Sequence, residues 1–415
     1  MLTKRACLIL VSASLMAIAF SAIGANEASA EHSESFHVRM RVDDKTFDQR
    51  IPSPVIDAYD LSPDGSRLAL LVLSGDPLQA PVPSWIVVVS AIDASILKLV
   101  RFGTRAQWVQ GYASQISFMA DGKLLAVEDQ ERDVSVFDST TLSKIRTIDP
   151  DSGSRFVVPA SIVVAGNGVM AAISFGTGDA VTNYLDKMAV HTMIVDVSNG
   201  RQVASWDADD TPLSISPDAN FVAVSDHSLD GPVMYVDILK GKSGEKVGTL
   251  LGGQLPVKNH LQKGYIARLI ARFINDDEAV LTGDGSKDQL GRDLVEGMKI
   301  VSAMDGHVIQ EITPKHFGPT GNIAVSSGQT TFAAISRYIP STYLTHDSRI
   351  PYDFKPELLI LSKQHIFRLE DRLPLPALLA LRTPILMDTA RLRISADGSV
   401  ISVAENYGVT VLASK

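Results

Sequence analysis

The stretch LSPDGSRLAL at 61–70 decides the fold. An apolar stretch meets a tight polar turn, and a second apolar stretch follows. Asp-Gly between two such stretches is a strong hairpin signal, because Gly takes a positive φ without steric cost. The phrase returns as SFMADGKLLAV at 117–127, SISPDANFVAV at 214–224 and RISADGSVISV at 393–403. Three degenerate copies keep the form and lose the spelling: VVAGNGVMAAIS at 163–174, RFINDDEAVLTG at 272–283 and VSSGQTTFAAIS at 325–336.

The seven turns centre on Gly65, Gly122, Gly168, Ala219, Asp277, Gln329 and Gly398, at intervals of 46 to 69 residues. After most hairpins comes a third β-type run, as in WIVVVSAID (85–93), VSVFDSTTL (134–142), TMIVDVSNG (192–200), VMYVDILKG (233–241) and MKIVSAMDG (298–306). A fourth follows in ILKLVRF (96–102), KIRTI (144–148), QVASW (202–206), KVGTLL (246–251) and HVIQEI (307–312). Four short antiparallel strands, a to d, recurring at this period predict an all-β, seven-bladed β-propeller.

Through the S-P-D-G turn and the Ile-Val-Asp-x-Ser-Asn-Gly form of the c–d turn at 194–200, the chain resembles the bacterial WD-repeat and YVTN-type propellers. Phe137-Asp138 and Val195-Asp196 stand where the Trp-Asp dipeptide would be. The resemblance covers nearly all of 31–415 and implies the fold. The functions it implies span scaffolds, lactone hydrolases and subunits of periplasmic dehydrogenases whose cofactor lies on another chain, and a fold does not select among them.

Residues 1–30 read as a secretory signal. Lys4 and Arg5 precede an apolar stretch from Ala6 to Ile23, and Ala28-Ser29-Ala30 offers a small-x-small cleavage site before Glu31. An uncleaved membrane anchor is the alternative. Cys7, the only cysteine, lies at the start of the apolar stretch, so lipidation is not expected, and the mature chain has no disulfide. Loss of Lys4, Arg5 and Glu27 moves the net charge from −9 to −10. An acidic exported chain without basic clusters argues against nucleic acid and anionic membrane as partners.

The last unit is short, with strands near 391–395, 399–404 and 408–413, and lacks a fourth. Phe36, Val38, Met40 and Val42 alternate with His37, Arg39, Arg41 and Asp43. This period of two predicts that the N-terminal segment is strand d of blade seven, with its four apolar side chains on one buried face.

Strand reversal puts the a–b and c–d turns on one side of the disc and the b–c and d–a connections on the other. The insertions at 74–83, 175–189, 282–297 and 337–356 are b–c, and those at 252–264 and 371–389 are d–a. Long loops on a rigid scaffold are where binding resides, which makes this face the candidate functional face. Within 337–354, Tyr338, Tyr343, His346, Asp347, Arg349 and Tyr352 form the candidate partner-binding set, since Tyr and Arg favour interface hot spots. The alternative is a loop folded over its own blade. The apolar stretch RLPLPALLALRTPILMD at 372–388, with a short helix from Pro376 to Leu381, is expected to cap a gap in the core; the alternative is an exposed patch for a partner.

No catalytic or metal motif emerges, and no cofactor is expected. Asp226-His227 and His346-Asp347 are adjacent pairs without ligand spacing. Asp284 and Asp288 lie in an acidic loop without the terminal Glu of a helix-loop-helix calcium site. Gly241-Lys242-Ser243 lacks the first Gly of a phosphate loop, where Val236 stands. Arg268, Arg272, Arg391 and Arg393 fall on or near innermost strands. They either line the central channel and favour an anion or, the reading preferred here, extend to the rim and pair with acidic loops. The sequence leads to a periplasmic, non-catalytic scaffold for a protein partner. The alternatives are a lactone-type hydrolase with its site at the channel mouth and the dehydrogenase subunit.

Overall fold

Every strand pairs only within a four-stranded antiparallel sheet of its own, and seven such sheets stand in a ring. The structure, a computed structural model, describes residues 36–47, 50–75, 82–105, 115–128, 133–148, 156–166, 168–177, 190–208, 212–225, 235–251, 269–283, 298–312, 320–326, 328, 331–336, 357–363, 367–374, 392–405 and 408–414. These residues belong to one compact unit, Phe36–Lys415. Blade 1 is Pro54–Leu61, Arg67–Ser74, Val82–Ser90 and Ile96–Arg105, and each later blade repeats this order outward from the axis. The chain is the seven-bladed propeller expected from the repeat.

The Ser-Pro-Asp-Gly phrase builds its turn from side chains as well as backbone. The Ser62 hydroxyl donates to Asp64 Oδ1 at 2.5 Å and accepts the Arg67 N–H at 2.9 Å. Ser216 with Asp218 and Phe221, and Ser395 with Asp397 and Val400, repeat this geometry. Gly65 and Gly398 supply the positive φ, 67° and 79°. At Gly398 a Cβ would also meet Thr331 of the preceding blade at 2.5 Å, so glycine permits close blade contact there. The aspartates that stand for the Trp-Asp dipeptide cap the c–d turns. Asp138 accepts the Thr140 and Thr141 N–H groups, and Asp196 accepts the Ser198 N–H and hydroxyl.

The core lies between blades. Leu68, Leu70 and Val72 of strand b in blade 1 pack toward blade 7, while Ala69 and Leu71 pack toward blade 2. Both faces of such a strand are buried, which is why it reads as an unbroken apolar run rather than an alternation. Among the described residues each of the seven blade-to-blade interfaces has its own apolar cluster.

Phe36–Asp43 pairs antiparallel with Gly408–Ser414 and completes blade 7, so the two ends of the ring are joined edge to edge as expected. The face assignment needs correction. Arg39 is an extra residue, a β-bulge between Val38 (opposite Leu412) and Met40 (opposite Val411). A bulge reverses the side on which the following residues point. Phe36 therefore packs between blades 6 and 7, Met40 and Val42 pack between blades 7 and 1, and Val38 is 62% exposed.

The bulge is a shared feature of the outermost strands. Strand d carries an extra residue within its first four positions in each of blades 1 to 6: Leu97, Ile145, Val203, Val247, Ile309 and Glu370. The N-terminal strand carries Arg39 within its first four positions too, although it comes from the other end of the chain. Repeated bulges twist exposed edges away from straight pairing and so oppose edge-to-edge aggregation.

Several boundaries differ from the sequence reading. Blade 6 has strands c and d at Glu357–Lys363 and Phe367–Pro374, which carry none of the recurring phrases. Arg372, Leu373 and Pro374 thus belong to a strand rather than to a surface connection; 375–391, including the expected Pro376–Leu381 helix, lies outside the described residues. Residues 1–35, with the signal and anchor readings, also lie outside them.

Candidate functional site

The a–b turns are closed in every blade by one backbone bond from the residue that opens the turn. The donors are Ser62, Met119, Ala165, Ser216, Ile274, Ser326 and Ser395. Two residues earlier, on the innermost strands, lie seven equivalent positions around the channel: Asp60, Ser117, Val163, Ser214, Arg272, Ala324 and Arg393. This ring is apolar or hydroxylic except at three places.

Most of the ring reaches toward the next blade. Asp60 Oδ2 accepts the Phe118 N–H of blade 2 at 2.7 Å, and Ser214 Oγ accepts the Phe273 N–H of blade 5 at 3.1 Å. Val163 packs into the cluster between blades 3 and 4, and Ala324 into that between blades 6 and 7. Arg393 of blade 7 reaches Asp60 of blade 1, with Nε 2.5 Å from Oδ1. The Tyr59 hydroxyl donates to the Ser402 carbonyl at 3.2 Å, and Ala396 N–H to the Pro63 carbonyl at 2.7 Å, across the same joint.

Arg272 is the exception. Its next blade offers the Ala324 methyl where blade 1 offers Arg393 a carboxylate. The Arg272 Nη1 instead donates back to the Leu213 carbonyl of blade 4 and to the Ala271 carbonyl at 3.1 Å. Burial, and then the charge of Arg393, bring the Arg272 guanidinium down to about 10. Burial pushes the Asp60 carboxyl up, against the opposing pull of Arg393 and the Phe118 N–H. Tyr59 is raised beyond the ordinary phenol range, first by burial.

Arg272 and Arg393 thus belong to the channel wall. The expectation that they extend to the rim and pair with acidic loops is overturned, because the carboxylate that Arg393 meets stands on an innermost strand. Asp60, which completes the site, carried no sequence signal beyond its place two residues before Ser62. Arg268 and Arg391 lie outside the described residues, as do Tyr338, Tyr343, His346, Asp347, Arg349, Tyr352, Asp226, His227, Asp284 and Asp288. Among the described residues no group of three or more His, Cys, Asp or Glu side chains is placed to hold a metal, and no helix is long and apolar enough to cross a membrane.

The two faces of the disc differ. The a–b and c–d connections are short throughout, as in 62–66, 91–95, 119–122, 197–200 and 364–366. The b–c connections include 178–189, 284–297 and 337–356, and the d–a connections include 252–268 and 375–391. The observed strands move the edges of the expected insertions by a few residues and leave their face unchanged.

No protein-family model and no curated protein matches the sequence. Solved structures share the fold. A chain of Kuenenia stuttgartiensis hydrazine synthase is 14% identical, with a TM-score of 0.52 over 88% of this chain and 98% of its own. The Cps50 (Swd1) β-propeller domain of Myceliophteria thermophila is 9% identical, with a TM-score of 0.50 over 92% and 100%. A chain of the mitotic checkpoint complex is 12% identical, with a TM-score of 0.51 over 92% and 96%. At these identities the likeness is one of fold, in agreement with the propeller resemblance.

Proposed function

We propose that the chain is an exported, periplasmic propeller scaffold without catalysis of its own, which binds a protein partner through the face of the b–c and d–a connections. Residues 1–30 are its export signal, and Tyr338, Tyr343, His346, Asp347, Arg349 and Tyr352 its contact set. One observation carries this reading: the long connections gather on a single face of a rigid ring, while the opposite face has only tight turns. One of the similar folds comes from the mitotic checkpoint complex, in keeping with a partner-binding role.

The experiment is affinity capture from periplasmic extract with the mature chain, 31–415, against a variant with 337–356 replaced by a short Gly-Ser link. Long surface loops add little to closure cost, so the variant should melt close to the parent. The expected result is one partner held in stoichiometric amount by the parent and lost by the folded variant. Equal retention by both would remove the assignment of 337–356. Catalytic turnover by the isolated chain would remove the scaffold reading.

A further inference from the structure

The ring of equivalent channel positions has two guanidiniums and one carboxylate. Arg393 has Asp60 on the next blade; Arg272 has Ala324 there, and among the described residues it meets only backbone carbonyls. A partly buried guanidinium that has, among the described residues, no carboxylate of its own and feels the charge of a second guanidinium is an unfavourable arrangement that an incoming anion relieves. The guanidinium fork matches a carboxylate or phosphate through paired N–H donors. Ala324 adds no bulk beyond a methyl at the place where a carboxylate would neutralise Arg272.

From this we infer that the channel is a binding site for a small oxyanion bearing a phosphoryl or carboxyl group, held by Arg272 with the field of Arg393 behind it. The ring lies two residues from the short a–b turns, toward the mouth opposite the long connections. The site is therefore separate from the partner face, and either can fail without the other. Asp60 stays on Arg393 and on the Phe118 N–H, which leaves Arg272 as the one guanidinium of the ring that meets no carboxylate among the described residues. That favours a monoanionic group or one end of a larger anion over a compact polyanion.

The test is thermal melting of the mature protein during titration with inorganic phosphate and, separately, with succinate. Each is set against sodium chloride of matched ionic strength. A ligand that binds only the folded state at tenfold excess over its Kd should raise the melting temperature of a chain this size by about 2 °C. Arg272→Gln should abolish the rise; its anion-free melting temperature reports the balance between the lost bonds to the Leu213 and Ala271 carbonyls and the relieved repulsion from Arg393. Arg272→Lys, which keeps the charge and loses the fork, should retain part of the rise. A response to phosphate alone or succinate alone identifies the oxyanion. If neither anion shifts the parent beyond the chloride control, or if Arg272→Gln responds as the parent does, the inference is overturned. The parent titration decides this even if a variant folds poorly.

Discussion

Arg393 Nε lies 2.5 Å from Asp60 Oδ1, and this contact joins the last blade to the first across a sequence separation of 333 residues. Both side chains are mostly buried, at 29% and 12% exposure. Removing one partner of such a pair leaves a charge in a poor environment, which costs far more than the intact pair contributes. Arg393→Gln should therefore destabilise the protein by about 2–4 kcal/mol, and the double variant Asp60→Asn, Arg393→Gln should recover part of that loss. The loss should also depend on pH. Burial already raises the Asp60 carboxyl, so the folded state holds its proton more tightly than the unfolded state. Such a group's stabilising contribution is complete below the unfolded value and is lost as pH rises through the folded value. Arg393 opposes the rise, and without it the window extends upward. Denaturant melts at pH 5 and pH 8 should show the larger deficit of Arg393→Gln at pH 8; an equal deficit at both would mean that Asp60 does not titrate there.

The bulge at Arg39 makes the N-terminal strand unequal along its length. Met40 and Val42 are buried between blades 7 and 1, whereas Val38 is exposed. Val42→Asp places an uncompensated charge in that interface and should cost several kcal/mol, at the upper end of what single substitutions do. Val38→Asp should stay within about 0.5 kcal/mol of the parent. Chemical denaturation of the two variants separates the bulged register from a regular strand, in which Val38 and Val42 would respond alike.

Exposed aspartates at the c–d turns should make the protein acid-sensitive. The Ser302 hydroxyl first, then the His307 ring and N–H, hold the Asp305 carboxyl down to about 2. The Ser198 hydroxyl leads the same effect at Asp196, and the Thr141 N–H at Asp138. A carboxylate depressed in the folded state contributes stability above its unfolded value and loses it as pH falls through the folded one. Melting temperature should therefore decline between about pH 4 and pH 2, and Asp305→Asn should flatten the decline. An unchanged slope in that variant would exclude Asp305 as a contributor.

What was legible in the sequence was what is local. Ser62, Asp64 and Gly65 make one turn among themselves, so the phrase identifies a hairpin wherever it recurs. The edge between Phe36–Asp43 and Gly408–Ser414 was legible as well, because one unit lacked a strand that another segment had to spare. The bulge was hidden because Phe36, Val38, Met40 and Val42 read as a single face whether or not Arg39 is inserted. Strands c and d of blade 6 were hidden because 337–356 separates them from their hairpin. The channel site was visible only in part. Two arginines on inner strands stood out, but Asp60 could not be matched to Arg393 without knowing that blades 1 and 7 adjoin and share a register.

Ring closure by the N-terminal strand is tested most directly by a disulfide across it. The chain's only cysteine is Cys7, so Arg41→Cys with Thr410→Cys in a Cys7→Ser background gives one possible pair, at opposed register positions. Facing residues on paired strands bring their Cβ atoms to about 4.5–5.5 Å, within reach of a bond after slight adjustment. Under mild oxidation of the folded protein, thiol titration and intact mass should show complete intramolecular cross-linking, reversed by reductant. Two free thiols in a folded, oxidised protein would contradict the closure and, with it, the seventh blade.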